Sequence, residues 1–219
     1  MTTTLQMRID AGYSSPAWWY NVRGFFILLF AYRASLLGQV RFFERNLASP
    51  HLEVPVGTGT LLGLVLRLAR LRGRETPRVT AIDHSPTMVA SARRAFAGQG
   101  EVQVERGDVG CLGFRDGSFR SVAIANGLHC FPDPDRALAE VHRVLAPGGR
   151  LAASVLVPPR GSRLRRRIAG AVNAWGQRNG LLVAALDRDA LRSKLVALGF
   201  LIQEETLSGN TVHVVATKR

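Results

Sequence analysis

Leu52-Glu53-Val54-Pro55-Val56-Gly57-Thr58-Gly59-Thr60 decides the fold. A short β-rich run, Leu52 to Val56, ends in two glycines one residue apart and passes into Leu61 to Leu71, where apolar spacing predicts a helix. Glycine there lets a ligand approach the backbone, because no Cβ stands in the way. Outward from this turn the same alternation repeats. Strands are expected at Val79 to Asp83, Val102 to Arg106, Ser121 to Ala125 and Arg150 to Val155, with helices at Pro86 to Ala97 and Pro134 to Leu145. Pro86 and Pro134 suit first-turn positions, where a missing N–H costs nothing. Gly148-Gly149 reads as a helix stop and a tight turn into the following strand. After it come a basic segment, a helix at Asp187 to Leu198, and runs Phe200 to Leu207 and Thr211 to Thr217 joined by the hairpin turn Ser208-Gly209-Asn210. The pattern is α/β: a mostly parallel sheet, helices on both faces, and a closing antiparallel pair.

At 219 residues, with about 100 to 200 residues per domain, the chain makes one compact domain with a small elaboration. We read residues 1–50 as an N-terminal helical cap, rich in aromatics, and 51–219 as the main domain with an insert at about 156–186. Hydrophobic residues are 47% and charged residues 21%, which excludes disordered and collagen-like classes. Lys plus Arg is 29 against Asp plus Glu 16, a net charge of +13. Only Lys194 and Lys218 are lysines, so arginine carries nearly all of it and coding bias explains much of the excess. The dense run Arg160, Arg163, Arg165, Arg166, Arg167 holds no aromatic, unlike a surface built to stack bases. It reads as a solvated basic helix face, with an anionic partner as the alternative. Cys111 and Cys130 form neither a disulfide scaffold nor a zinc spacing, and no metal site is expected. No secretory signal is recognisable, and the apolar run Gly24 to Tyr32 is far shorter than the roughly 20 residues a span needs, so a cytoplasmic protein is expected.

Polar groups gather where successive strands end: Glu53 near the first turn, Asp83 after the second strand, Gly107-Asp108 after the third, Asn126-Gly127 after the fourth. Open α/β sheets bind ligands at that edge, and an acid ending the second strand is placed to accept from ribose hydroxyls.

Six segments in this order resemble one family. They are Leu52 to Gly59; Ala81-Ile82-Asp83-His84-Ser85-Pro86-Thr87-Met88; Gly107-Asp108; Phe114-Arg115-Asp116-Gly117-Ser118-Phe119; Leu128-His129-Cys130-Phe131-Pro132-Asp133-Pro134; and Arg143-Val144-Leu145-Ala146-Pro147-Gly148-Gly149-Arg150. Together, over about Leu52 to Val155, they are similar to the class I S-adenosylmethionine-dependent methyltransferases, in the small-molecule branch of the ubiquinone and menaquinone enzymes. The resemblance implies a doubly wound, Rossmann-like, seven-stranded sheet whose last strand runs antiparallel between the fifth and sixth. It implies S-adenosyl-L-methionine as cofactor. Gly57, Thr58 and Gly59 would line the methionine part, with Glu53 facing its ammonium and Tyr20 capping that end. Asp83 would hold both ribose hydroxyls, His84 and Met88 would pack on the adenine, and Asp108 with the Val109 N–H would read its edge. Asn126 would border the site, and His129 is the candidate general base toward the acceptor.

Pro55 departs from the family's usual glycine and removes an N–H just before the loop, and Arg120 replaces a usual aspartate. The expected partner is a small-molecule methyl acceptor, aromatic if Trp18, Trp19, Tyr20, Phe26 and Trp175 line its pocket, anionic if the arginines do. Two other readings stay open: a methyltransferase fold that has lost methyl transfer and promotes a cyclisation, and a basic protein that binds RNA or a membrane surface. Oligomeric state is not legible.

Overall fold

The structure is a computed structural model that describes residues 35–179, 182–183 and 185–219. Tyr20 and the aromatic stretch before residue 35 lie outside the described residues. Seven strands form one sheet: β1 (His51–Glu53), β2 (Val79–Asp83), β3 (Val102–Arg106), β4 (Phe119–Ala125), β5 (Leu145–Leu156), β6 (Phe200–Ser208) and β7 (Thr211–Lys218). Their spatial order is β3-β2-β1-β4-β5-β7-β6. The first five are mutually parallel, and β7 runs antiparallel to both β5 and β6. The order reverses between β1 and β4, which puts a crevice at the carboxyl ends of those two strands.

Alternation sorts the sheet into two faces. Leu52, Ile82, Val122, Ile124, Leu151, Ala153, Val155, Val214 and Ala216 pack with helices α4 (Pro134–Val144) and α6 (Arg188–Ala197) through Leu138, Val141, Leu191 and Leu195. Ala81, Ala123, Ala152 and Val215 pack on the opposite side with α1 (Leu36–Arg45), α2 (Thr60–Leu71) and α3 (Pro86–Ala95) through Phe42, Phe43, Leu62, Leu66, Ala92 and Phe96. Fully burying one such leucine or phenylalanine stabilises by about 1.5–3 kcal/mol, so two continuous faces account for a cooperative core. The helices start where side chains accept orphan N–H groups: Ser35 from Gly38, Ser85 from Met88, Asp133 from Arg136, and Asp187 from Asp189 and Ala190. α1 is also tied down by charge. The buried Glu44 carboxylate accepts from Arg72 at 2.6 Å and Arg74 at 2.9 Å at the far end of α2.

Two boundaries differ from expectation, both for backbone reasons. β1 stops at Glu53 rather than running to Val56, because Pro55 offers no N–H to the ladder, although Val54 N–H still reaches Ala123 O and Val56 N–H reaches Ile82 O. β5 begins at Leu145, before the glycine pair, opposite Phe119. The register slips between Phe119 and Ser121, and pairing resumes at Arg150. Gly148-Gly149 therefore sit inside an irregular strand start, where a Cβ on Gly149 would lie 2.7 Å from Ala146 O. The segment 156–186 contains α5 (Arg163–Arg178).

Candidate active site

The loop after β1 is built from three short backbone contacts: Val56 N–H to Ile82 O, Gly59 N–H to Val56 O at 3.0 Å, and Gly57 N–H to the Asp83 carboxylate at 2.8 Å. Its two glycines serve different ends. Gly57 has φ +57° and a Cβ there would meet nothing within 4 Å among the described residues, which leave that side of the loop open to a ligand. Gly59 has φ +83°, ends the loop as the N-cap of α2, and is pressed against Phe96, whose Cε2 would sit 2.7 Å from a Cβ. Thr58 is buried between them, its hydroxyl 2.9 Å from that of Thr60.

Asp83, 8% exposed, closes β2 beside this loop. One carboxylate oxygen accepts from Gly57 N–H and the other from Ser85 N–H at 2.9 Å. Burial still raises the carboxyl above the ordinary aspartate value, against the lowering effect of those two bonds and of the His84 backbone. Glu53, 5% exposed, lies on the same face of neighbouring β1 and is likewise raised by burial, offset only in part by His51. His51 Nε2 stands 3.3 Å from Glu53 Oε2 and Nδ1 stands 2.7 Å from Ser121 Oγ. Ser121 donates its one proton to Ala48 O at 2.7 Å and accepts from Ala48 N–H at 2.9 Å. His51 therefore donates from Nδ1, and a single proton lies between Nε2 and the carboxylate.

Further along the edge, Asn126 takes φ +53° and its side chain exchanges amide bonds with buried Gln39 of α1, at 3.2 and 3.0 Å, while Ser154 Oγ donates to its Oδ1 at 2.9 Å. Gly127 next to it has no room for a Cβ, which would meet the Pro55 ring at 2.2 Å. Pro55 is thus the wall against which the β4 end closes. Asp108 is exposed, its Oδ1 accepting from Gly110 N–H at 2.8 Å, and Val109 beside it is buried. His84 is exposed, and its carbonyl accepts from Arg106. Met88, 1% exposed, is buried in the first turn of α3. His129, 2% exposed, is in the 3₁₀ turn Leu128–Cys130. Its Nδ1 accepts from Leu156 N–H at 3.2 Å, its carbonyl accepts from Val183 N–H, and burial pushes the ring's pKa down to about 3. The proton is on Nε2 and the ring pins the turn to the end of β5.

Residues 52–153 match the methyltransferase domain family. The match makes the stretch from β1 into β5 similar to a methyltransferase domain. A demethylmenaquinone methyltransferase of Thermus thermophilus is 43% identical over 109 residues, 49% of this chain and 47% of that protein. The chain spans about half the length of the curated relatives it matches. Among solved structures, the [4+2]-cyclase SpnF superposes with a TM-score of 0.66 at 21% identity over 85% of this chain and 81% of that one. The trans-methyltransferase CalH, solved with S-adenosylhomocysteine, gives 0.63 at 22% over 82% and 54%. These likenesses establish the fold.

The fold brings Glu53, Gly57, Thr58, Gly59, Asp83 and Asn126 to one end of the sheet. The donor set fits S-adenosylmethionine on chemical grounds. Two buried carboxylates, neither with an Arg or Lys partner among the described residues despite a chain charge of +13, flank an open glycine, which suits a ligand carrying an ammonium and a diol. Three participants were not singled out from sequence: His51, Gln39 and Ser154. His51 had a signal, since period-two alternation puts it on the face of Glu53. Gln39 and Ser154 had none, because their partner lies 87 and 28 residues away. No group of three His, Cys, Asp or Glu suited to a metal occurs among the described residues.

Proposed function

We propose that the protein transfers the methyl group of S-adenosylmethionine to a small molecule with a ring that bears an activated carbon or an acidic hydroxyl. The observation that carries this is the pair of buried carboxylates, Glu53 and Asp83, beside the Gly57 turn, neither with an arginine partner among the described residues. When bound, S-adenosylmethionine supplies an electrophilic methyl on a sulfonium. Glu53 would hold the ammonium and Asp83 the two ribose hydroxyls, while Asp108 and the Val109 N–H would take the adenine edge. His84 would flank the ring from the exposed side, and Met88 would support it from beneath the α3 turn. Thr58 and Gly59 fix the loop. Tyr20 would cap the methionine end.

Asn126, locked by Gln39 and Ser154, sets the β4 end against which an acceptor would be oriented; holding reacting atoms in line is the larger part of such catalysis. The acceptor carbon or oxygen gains the methyl and loses a proton. We assign that proton to the acceptor's own acidity or to solvent, because His129 has its Nδ1 occupied and its basicity suppressed. The names of two relatives, the demethylmenaquinone methyltransferase of Thermus thermophilus and a ubiquinone/menaquinone biosynthesis C-methyltransferase of Desulfotalea psychrophila, support a quinone-like ring and a carbon acceptor.

Calorimetric titration with S-adenosylmethionine and S-adenosylhomocysteine, followed by an acceptor screen read by mass, tests the proposal. Binding of both, and a quinol or phenol that gains one methyl as cofactor is consumed, is the expected result. Failure of a folded protein to bind either compound refutes it. Binding without cofactor consumption across the screen would favour the cyclisation reading.

A further inference from the structure

Helix α5 is unlike the other helices of the domain. It runs 16 residues, Arg163–Arg178, about 24 Å, and reaches the rest of the protein through a narrow strip of small residues, Ala169 and Gly176, the latter against Leu182. The large apolar residues point elsewhere. Leu164 is 69% exposed, Ile168 45% and Trp175 38%, and with exposed Ala171 they recur at spacings of four, three and four, one continuous stripe. Arginine borders the stripe, Arg163 and Arg167 on one side and Arg165 on the other, while Arg166 is on the opposite face. All four are exposed and make no ion pair with a described residue. Arg163, Leu164, Arg166 and Arg167 line an open concavity of about 620 Å³. From Val141 to Leu186 the chain contains no Asp or Glu.

We propose that α5 is an interfacial helix that seats the protein on a bilayer surface bearing anionic phosphate headgroups. Leu164, Ile168, Ala171 and Trp175 enter the acyl boundary, and Arg163, Arg165 and Arg167 lie among the phosphates. An exposed apolar stripe flanked by cations, with no acid nearby, is the pattern of helices that lie in that plane. RNA would meet the arginines but leave Leu164 and Ile168 uncovered, and a second copy would set arginine against arginine. Placement adds a functional reason. The excursion leaves β5 and returns to it at its carboxyl end, with Val157 N–H bonded to Asn210 O, Leu186 N–H to Leu156 O, and Val183 N–H to His129 O. The docked face therefore adjoins the ligand end of the sheet, where an apolar acceptor could arrive from the lipid.

The test is flotation of the full chain with vesicles of phosphatidylcholine alone or mixed with phosphatidylglycerol, at low and high salt. The wild type should float with the mixed vesicles and be released by salt. Arg165→Gln with Arg167→Gln should weaken partitioning by about 25-fold, from about fivefold for each arginine near an anionic surface. Ile168→Asp should abolish flotation. Both variants change exposed side chains, so their circular dichroism and their binding of S-adenosylhomocysteine should match the wild type. Absence of wild-type flotation with anionic vesicles overturns the proposal. So does equal flotation of all three proteins, or retention of RNA without flotation, or a dimer that Ile168→Asp splits while flotation is unaffected.

Discussion

Replacing Glu53 by Gln should strengthen the fold and weaken the site. The carboxyl is raised by burial in the folded protein, with His51 offsetting only part of that cost. An acid whose pKa is higher folded than unfolded contributes stability that is complete below the unfolded value and is lost as pH rises through the folded value. The replacing amide does not titrate, and its N–H can still donate toward His51 Nε2, now 3.3 Å from the carboxylate, a contact of about 0.5–1.5 kcal/mol. The stability difference, variant minus wild type, should therefore be more positive at pH 8 than at pH 5. The ligand side goes the other way. Losing a charge-assisted bond to an ammonium costs about 1.5–3 kcal/mol, an affinity about 10- to 150-fold weaker. Urea unfolding at the two pH values and calorimetric titration with S-adenosylhomocysteine read both effects. Unchanged affinity would refute the role given to Glu53, and a stability difference independent of pH would refute the account of its burial.

Asp83→Asn keeps the shape but turns an NH₂ toward either Gly57 N–H or Ser85 N–H, so it should cost about 1–3 kcal/mol of stability and at least tenfold in S-adenosylhomocysteine affinity, by denaturation and calorimetry. Gly59→Ala should lose about 2–4 kcal/mol from its φ of +83° and the approach of Phe96; in a Phe96→Leu background only the conformational part should remain, a difference that a double-mutant cycle of denaturation midpoints measures. His129 carries the opposite pH sign to Glu53. With its folded pKa pushed down to about 3, the unfolded state takes up the proton first, so stability falls as pH drops below about 6.5, by up to about 1.4 kcal/mol per unit, and His129→Gln should flatten that slope in pH-resolved unfolding.

The strands and the acids that end them are legible because the signal is local. Alternation marks Val79 to Asp83 and Val102 to Arg106, and the structure has β2 and β3 with those limits. Gly57 and Asp83, which meet in the structure, stand 26 residues apart in the chain, yet each announces itself through its own strand end. Other features depend on pairings that no window of sequence contains. Asn126 is placed at the edge by its strand, but its restraint by Gln39 comes from α1, 87 residues earlier in the chain. Pro55 stands out in the sequence for the N–H it lacks. Its packing on Gly127 is a steric fact of two distant turns. The arginine run reads as a helix face and is one, while the apolar stripe beside it escapes a sequence reading because Leu164, Ile168 and Trp175 look like core residues until their exposure is known.

The distribution of polar groups says which face of the sheet serves the chemistry. The side packed by α4 and α6 is apolar from Leu52 through Val214. On the other side, period two lines up Glu53 and His51 on β1, Ser121 on β4, Ser154 on β5, and Thr211 and His213 on β7, all buried under or beside α1. Ser154 and His213 are register partners, and His213 lies against Phe42 of α1 with ring centres 4.9 Å apart. Among the described residues Thr211 Oγ1 and His213 Nδ1 are buried without a hydrogen-bond partner, and each such atom costs about 1–3 kcal/mol. Stability alone would favour valine at both positions, as the neighbouring Val212, Val214 and Val215 illustrate. Both atoms lie where β7 begins and β5 ends, the same end as Asn126. A hydroxyl or carbonyl on a bound acceptor would offset their cost, so the acceptor proposed above would be placed on the α1 face, over β4, β5 and β7, beside the cofactor loop.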